Sequence, residues 1–558
     1  MKKNIFRSLI ATLLAVVMIA ILGSAVAFAA EDDIATASDV SVTNPVSWFE
    51  ALIDEAIRLF QKIIDFFQSL FNCNYKPGKN ETPVVPETPV VPETPETPEV
   101  PETPEVPETP VVPETPEVPE IPEVPEIPEV PEIPEVPEIP EEPEVPAAPV
   151  PVVPAPEGAF EVYTYEDLVF AIDNDETVIV IKGDIEIPET VTIPENADVT
   201  IYGDIFTVKR AADFDGFMFI ASAGSKLTLM SITVDGGAEW TGEVDPVLLR
   251  PTENTGIVAA GSIVGAVNNS AIVLGEGAIL QNNDGAAAVT LATRVGATLT
   301  INGGEVLNNN SEAGAIWGGG YVEINSGKIN GNSSTASAGA IRMVSGCNFT
   351  MNGGEINNNK AAVNGGAIYG YGSSTYNFNG GEMAYNYSSL GGAVYTGEGS
   401  VLNVNGDFEI HDNTAIDCGA IRFTNSTKFN MNGGKIYNNS DDGEHDGLYG
   451  WNLKANITGG VLDDDLTIQS PYSPTFGAAE ITGVMHFALG SGSTVNLTAD
   501  FIGFSFTVSE GTVSNFNIKP AAGYEYTEGD EAKLVCMNEG YATYWDAAAG
   551  AFKIAPVA

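Results

Sequence analysis

The 558-residue chain sets 23 Lys and Arg against 76 Asp and Glu, a formal net charge of −53. That balance argues against nucleic acid as a partner and against docking on anionic lipid, both of which it would repel at long range. Length alone suggests several globular domains, but a targeting segment and a linker occupy more than a quarter of the chain.

Residues 1–29 read as a secretory signal peptide. Lys2, Lys3 and Arg7 precede an apolar run over 9–22, and Ala27-Phe28-Ala29 supplies a small-residue cleavage site. The mature protein is therefore expected to be secreted, extracellular or held at the cell surface. After a short flexible segment, 30–46, residues 47–71 form the pattern of one amphipathic helix. Ser47 and Glu50 make a capping box, and Phe49, Ile53, Ile57, Phe60, Ile64, Phe67 and Phe71 line an apolar stripe opposite Asp54, Arg58, Gln61, Lys62 and Asp65. No core lies within its reach, so this stripe is expected to mediate envelope attachment or self-association.

The Pro/Glu-rich linker spans 81–156, with proline at every third position over 83–149 and twenty glutamates between Glu81 and Glu144. Polyproline II has three residues per turn, so the prolines share one edge, and like-charge repulsion further extends the segment. It reads as a stalk.

From residue 160 the pattern becomes short strands separated by Gly and Asn corners, opened by a helix that Thr164 and Asp167 cap and that runs through Asp173. Over 279–461 three landmarks recur in fixed order every 23 to 27 residues. The first is an alternating strand with Ile301, Ile324, Met351, Phe378, Val404, Met431 and Ile457 inward, usually closed by Asn-Gly. The second pairs an apolar residue with an asparagine three positions on: Ile279/Asn282, Val306/Asn309, Ile329/Asn332, Ile356/Asn359, Met383/Asn386, Ile410/Asn413 and Ile436/Asn439. The third is Ala315-Ile316, Ala340-Ile341, Ala367-Ile368, Ala393-Val394 and Ala420-Ile421. A unit this short cannot bury its apolar face alone, so the copies must stack. The fold class expected is all-β: a right-handed parallel β-helix over 160–515 with coils of about 26 residues and three strands each, followed by a β-rich cap over 516–558. The asparagine column is expected at a corner with left-handed backbone, its amides hydrogen-bonding along the axis.

The apolar-x-x-Asn element alternating with Gly-Gly-Ala-Ile, as at Gly365–Ile368, resembles the paired repeats of the polymorphic outer membrane proteins and, more widely, adhesin-like β-helix proteins of the pectin-lyase type. The resemblance covers about 272–461 and implies a surface-exposed β-helix.

Cys73, Cys347, Cys418 and Cys536 show no metal-ligand spacing and are expected to be free or intermolecular. No nucleophile elbow, phosphate loop or zinc signature occurs, and His411, His445 and His486 lie apart. The outward column of the first strand, Thr300, Glu323, Thr350, Asn377, Asn403, Asn430 and Asn456, carries too few charges for lyase or hydrolase chemistry. A second column does carry carboxylates. There Glu382 and Glu409 fall on adjacent coils near His411, at the roughly 5 Å separation of a retaining glycosidase pair. The competing reading is a solvated stripe offset by Lys328 and Lys435 or by a bound calcium. The acidic loops at 441–446 and 463–465 are the other places where a cation would sit.

The residue following each Gly-Ala-Ile is Trp317, Arg342, Tyr369, Tyr395, Arg422 and Tyr449 in successive coils, and period-two alternation turns it outward. Rings and guanidinium groups in a row suit stacking on a sugar or on protein side chains; alternatively they only tie neighbouring turns together. Two readings of function follow: an adhesin-like surface protein binding a glycan or a surface protein, or a polysaccharide lyase or glycoside hydrolase. Fold alone does not choose between them.

Overall fold

A computed structural model describes residues 152–244, 251–292, 296–441, 447–509 and 513–557. The signal peptide, the 47–71 helix and nearly all of the linker lie outside the described residues, as do residues 442–446 of the first acidic loop.

Residues from 160 onward form a parallel β-solenoid of about 13 turns, each about 26 residues long. Three strands per coil arise because the alternating apolar segments are only three to five residues long and are broken at corners that β-branched residues do not tolerate. Third strands stack into a 14-stranded sheet, and first and second strands join in a 25-stranded sheet. The join occurs where single ten-residue strands, such as Thr298–Leu307 and Lys428–Tyr437, run through the corner. Strands of two to four residues after the asparagine corner make a third, 7-stranded sheet.

Inward residues follow the expected register. Ile301, Ile324, Met351, Phe378, Val404, Met431 and Ile457 are all buried, and each pairs in parallel with its counterpart in the next coil, as Met351 does with Phe378 and Phe378 with Val404. Phe378 and Phe408 stack inside with centroids 4.7 Å apart. The Gly-Ala-Ile landmark also has a steric cause. A Cβ on Gly366 would collide with the Gly392 carbonyl, and one on Gly392 with the Gly419 carbonyl, so these coils approach at a distance that only glycine permits.

The asparagine column differs from expectation at two points. Its first member is Asn283, not Asn282, because Leu280 rather than Ile279 pairs with Val306. The left-handed backbone belongs to the residue before the column, at Asn282, Asn308, Gly331, Asn358, Tyr385, Asp412 and Asn438. This division has a reason: the preceding residue makes the bend, which leaves the column side chain turned inward to bond its neighbours. Asn309, Asn332, Asn359, Asn386 and Asn413 each donate Nδ2 to Oδ1 of the next coil's asparagine over 2.8–3.1 Å.

Both ends are closed. At the start, the Tyr165–Asp173 helix has the expected Thr164/Asp167 capping box and buries Leu168, Ala171 and Ile172. At the other end parallel stacking continues past Asn515, through Ile518–Lys519 and Leu534–Cys536, before the antiparallel hairpin Tyr541–Asp546 with Ala551–Pro556. The solenoid thus takes in strands that sequence patterning assigned to the cap. The Asn-rich periodicity has faded there, and apolar aromatics such as Phe504, Phe506 and Phe516 fill the coil instead.

Candidate ligand-binding face

The outward column of the 14-stranded sheet places all six expected residues in one row. Trp317 pairs with Arg342, Arg342 with Tyr369, Tyr369 with Tyr395, Tyr395 with Arg422, and Arg422 with Tyr449. Their surroundings differ. Trp317 is 38% exposed, whereas Tyr449 is only 6% exposed. Tyr369 and Tyr395 hold their ring centroids 5.6 Å apart. The Arg422 guanidinium covers the Tyr449 ring at 3.9 Å and also pairs with Asp417 at 3.2 Å. The Tyr449 hydroxyl donates to Gln469 at 2.5 Å. Burial raises the phenol pKa of Tyr369, Tyr395 and Tyr449. From Tyr369 to Tyr449, then, the column is largely occupied with its own neighbours. The expectation that Tyr449 presents an open ring does not hold, because its face is closed by Arg422.

Two exposed rings of the same face escaped the repeat reading. Tyr371, 49% exposed, and Trp451, 48% exposed, each lie two residues beyond a column member, Tyr369 and Tyr449. Within the strand Leu448–Trp451 period-two alternation turns Tyr449 and Trp451 to the same side, whereas Tyr371 sits at the corner just past the strand Ile368–Gly370. Both were missed because a repeat search looks for one residue per coil, and the positions matching Tyr371 and Trp451 in other coils are not aromatic.

The carboxylate column on the second strands is present, with Glu382 beside Glu409 in register. Both are engaged. Lys435 Nζ lies 2.7 Å from Glu409, the Tyr437 hydroxyl donates to it at 3.0 Å, and the Lys435 hydrogen bond is the main cause that holds its pKa below the usual carboxylate value. Asn357 donates to Glu382 at 2.6 Å, and His411 Nε2 stands 3.6 Å away. The His411 ring lies parallel to Tyr437 at 5.0 Å, with its Nδ1 2.8 Å from Asp412. Burial, helped by the bond to Glu409, pushes the Tyr437 phenol to about 12. A glycosidase acid needs a raised carboxyl pKa, and Glu409 is shifted the other way. Lys328 similarly stands 3.7 Å from Glu355.

Among the described residues, no group of three or more His, Cys, Asp and Glu is placed to hold a metal ion. Cys418 and Cys536 are free thiols, and Cys347, which donates Sγ to the Gly318 carbonyl, is buried like Cys418. No helix among the described residues is long and apolar enough to cross a membrane.

No protein family, curated protein or solved structure matches the chain.

Proposed function

We propose that this chain is an exported, adhesin-like surface protein whose solenoid presents the outer face of its 14-stranded sheet to a glycan or protein ligand. The observation that carries the reading is the set of exposed rings on that face, Trp317, Tyr371 and Trp451. They stand two and three coils apart, roughly 10 and 14 Å at the spacing of stacked strands. Each ring offers about 0.5–1.5 kcal/mol by stacking, so useful affinity requires several contacts with one extended ligand. A stacked solenoid holds such contacts at fixed separations, which removes much of the ordering cost of binding. The leader-like segment at 1–29, the acidic stalk and the repeats that resemble those of polymorphic outer membrane proteins support display outside the cell. Envelope attachment or self-association through 47–71 belongs to the same proposal.

The test is a glycan array, with cell-surface protein binding alongside, on the full chain and on the triple variant Trp317→Ala, Tyr371→Ala, Trp451→Ala. The variant should bind at least about tenfold more weakly and melt within a few degrees of the parent, since exposed rings bury little core area. Unchanged binding would remove this face from consideration. The competing hydrolase reading predicts new reducing ends or unsaturated products from polysaccharide, abolished by Glu382→Gln.

A further inference from the structure

Arg342 is set apart from the other described arginines. Arg210 is buried and donates to the carbonyl oxygens of Gly236, Gly216 and Gly261 and to Asn283 Oδ1. Arg422 is paired with Asp417. Arg342 has no carboxylate within ion-pair distance among the described residues, although acidic groups outnumber basic ones 76 to 23 in the chain. Its Nε is buried and has no hydrogen-bond acceptor. The guanidinium carbon stands 5.8 Å from the Tyr369 ring. Leaving a guanidinium donor buried and unpaired costs free energy, and in so acidic a chain a carboxylate partner would be easy to supply.

We propose that Arg342 and the adjacent Trp317 form a recognition site for a carboxylate-bearing sugar, with the sugar ring on the indole and its carboxylate on the guanidinium. Trp317 and Arg342 are register partners on neighbouring strands, Ile316–Gly318 and Ile341–Met343, so they stand about 4.8 Å apart along the stack. That is close enough for one monosaccharide to touch both. A planar guanidinium matches a carboxylate through two parallel hydrogen bonds, here from its two terminal nitrogens because Nε is buried beyond a ligand's reach, and Tyr369 behind it restricts the fork. A sugar is favoured over an acidic peptide because the first contact is an exposed flat ring, while the row from Tyr369 onward is engaged in its own ring and cation–π contacts. The site deepens the binding reading above by naming the chemical class of ligand, and it rests on this face being exposed to ligand.

Titration calorimetry of the full chain with an oligoglucuronate, its carboxyl-reduced neutral counterpart and a polyglutamate peptide provides the test. The acidic oligosaccharide should bind at least about tenfold tighter than the reduced form. Arg342→Gln should erase that preference, Arg342→Lys should restore part of it, and Trp317→Ala should weaken both sugars. Far-ultraviolet circular dichroism and melting of each variant check the fold. Equal affinity for the acidic and reduced sugars, no binding of either, or a preference that survives Arg342→Gln overturns the assignment. Stronger binding of polyglutamate than of oligoglucuronate overturns the sugar in favour of an acidic peptide. The two proposals fail separately: if Tyr371→Ala with Trp451→Ala leaves oligoglucuronate binding intact while Arg342→Gln removes it, the extended face is wrong and the local site stands.

Discussion

Asp464 and Arg210 show how single residues set the ends of the internal asparagine column. Arg210, a pure donor, bonds Asn283 Oδ1 at 2.9 Å at one end. Asp464, a pure acceptor when ionised, receives Asn439 Nδ2 at 2.6 Å and its backbone N–H at 3.2 Å at the other. The side-chain amides from Asn309 to Asn439 all donate in the same direction and Asn283 joins them through its backbone N–H, so the cation faces the oxygen end of the row and the anion faces the N–H end. Burial still dominates at Asp464 and raises its carboxyl from 3.8 to about 6. Between those two values the native chain binds a proton that the unfolded chain has released, so this group's contribution falls as pH rises from about 4 to about 6. At about 1.4 kcal/mol per pH unit the loss is of order 3 kcal/mol, and it stays lost above that window. Asp464→Asn should therefore be more stable than the parent at pH 7. Urea unfolding of the two proteins from pH 4 to pH 8 measures this, and the difference between their curves should grow across pH 4–6; parallel curves would contradict it.

On the scale of the element, the solenoid contains amide ladders of two kinds, and burial separates their worth. Asn386 is fully buried; it accepts from Asn359 backbone N–H and Nδ2 at 2.9 and 3.1 Å and donates to Asn413 Oδ1 and the Ile356 carbonyl. On the outer surface a second ladder runs Asn432, Asn405, Asn379, Asn352, Asn325, Asn302, the first five each donating Nδ2 to the Oδ1 of the next named over 2.8–3.1 Å. Asn386→Ala takes the acceptor from the buried Asn359 backbone N–H, leaves Asn359 Nδ2 only the Ile329 and Asn357 carbonyls and removes the donor to the Ile356 carbonyl, so a loss of about 2–4 kcal/mol is expected. Asn352→Ala leaves groups that water can reach and should cost under about 1 kcal/mol. Denaturant midpoints of the two variants give the comparison; similar losses would mean that burial is not what makes the inner ladder matter. The ring column follows the same logic. Tyr369, Tyr395 and Tyr449 contribute to coil-to-coil contact because neighbours cover them, while Trp317, Tyr371 and Trp451 are exposed to solvent.

For the solenoid as a body, stability is close to a sum of coil and interface contributions, so its ends are where association with other chains begins. The terminal hairpin returns antiparallel onto the last coil through Ile518 and Phe552. Phe552 is fully buried, with Trp545 at 4.9 Å and Tyr524 and Tyr526 close by, and Tyr526 stacks on Trp545 at 5.2 Å. Removing residues 541–558 should expose unpaired strand edges and apolar rings without unfolding the central coils. Light scattering should then report higher mass, while hydrogen exchange around Ile356 and Met383 stays slow. A monomeric truncation, or fast exchange in the central coils, would show that the hairpin acts in some other way.

The repeat carried by itself the three-strand coil, the inward residues from Ile301 to Ile457, the stacking asparagines from Asn309 to Asn439 and the capped helix before the first coil. Each is a matter of local period and corner chemistry, which a short window of residues contains. Tertiary structure decided what depends on the surroundings of a side chain. It moved the first ladder residue to Asn283 through the pairing of Leu280 with Val306, and it placed charges at the ladder's ends, from Arg210, far ahead of the repeat, and from Asp464, just past its end. It also closed Tyr449 under Arg422 and left the buried Arg342 Nε without an acceptor among the described residues. Register is periodic and can be read along the chain; pairing and solvation depend on which coil lies next door, and only folding brings those neighbours together.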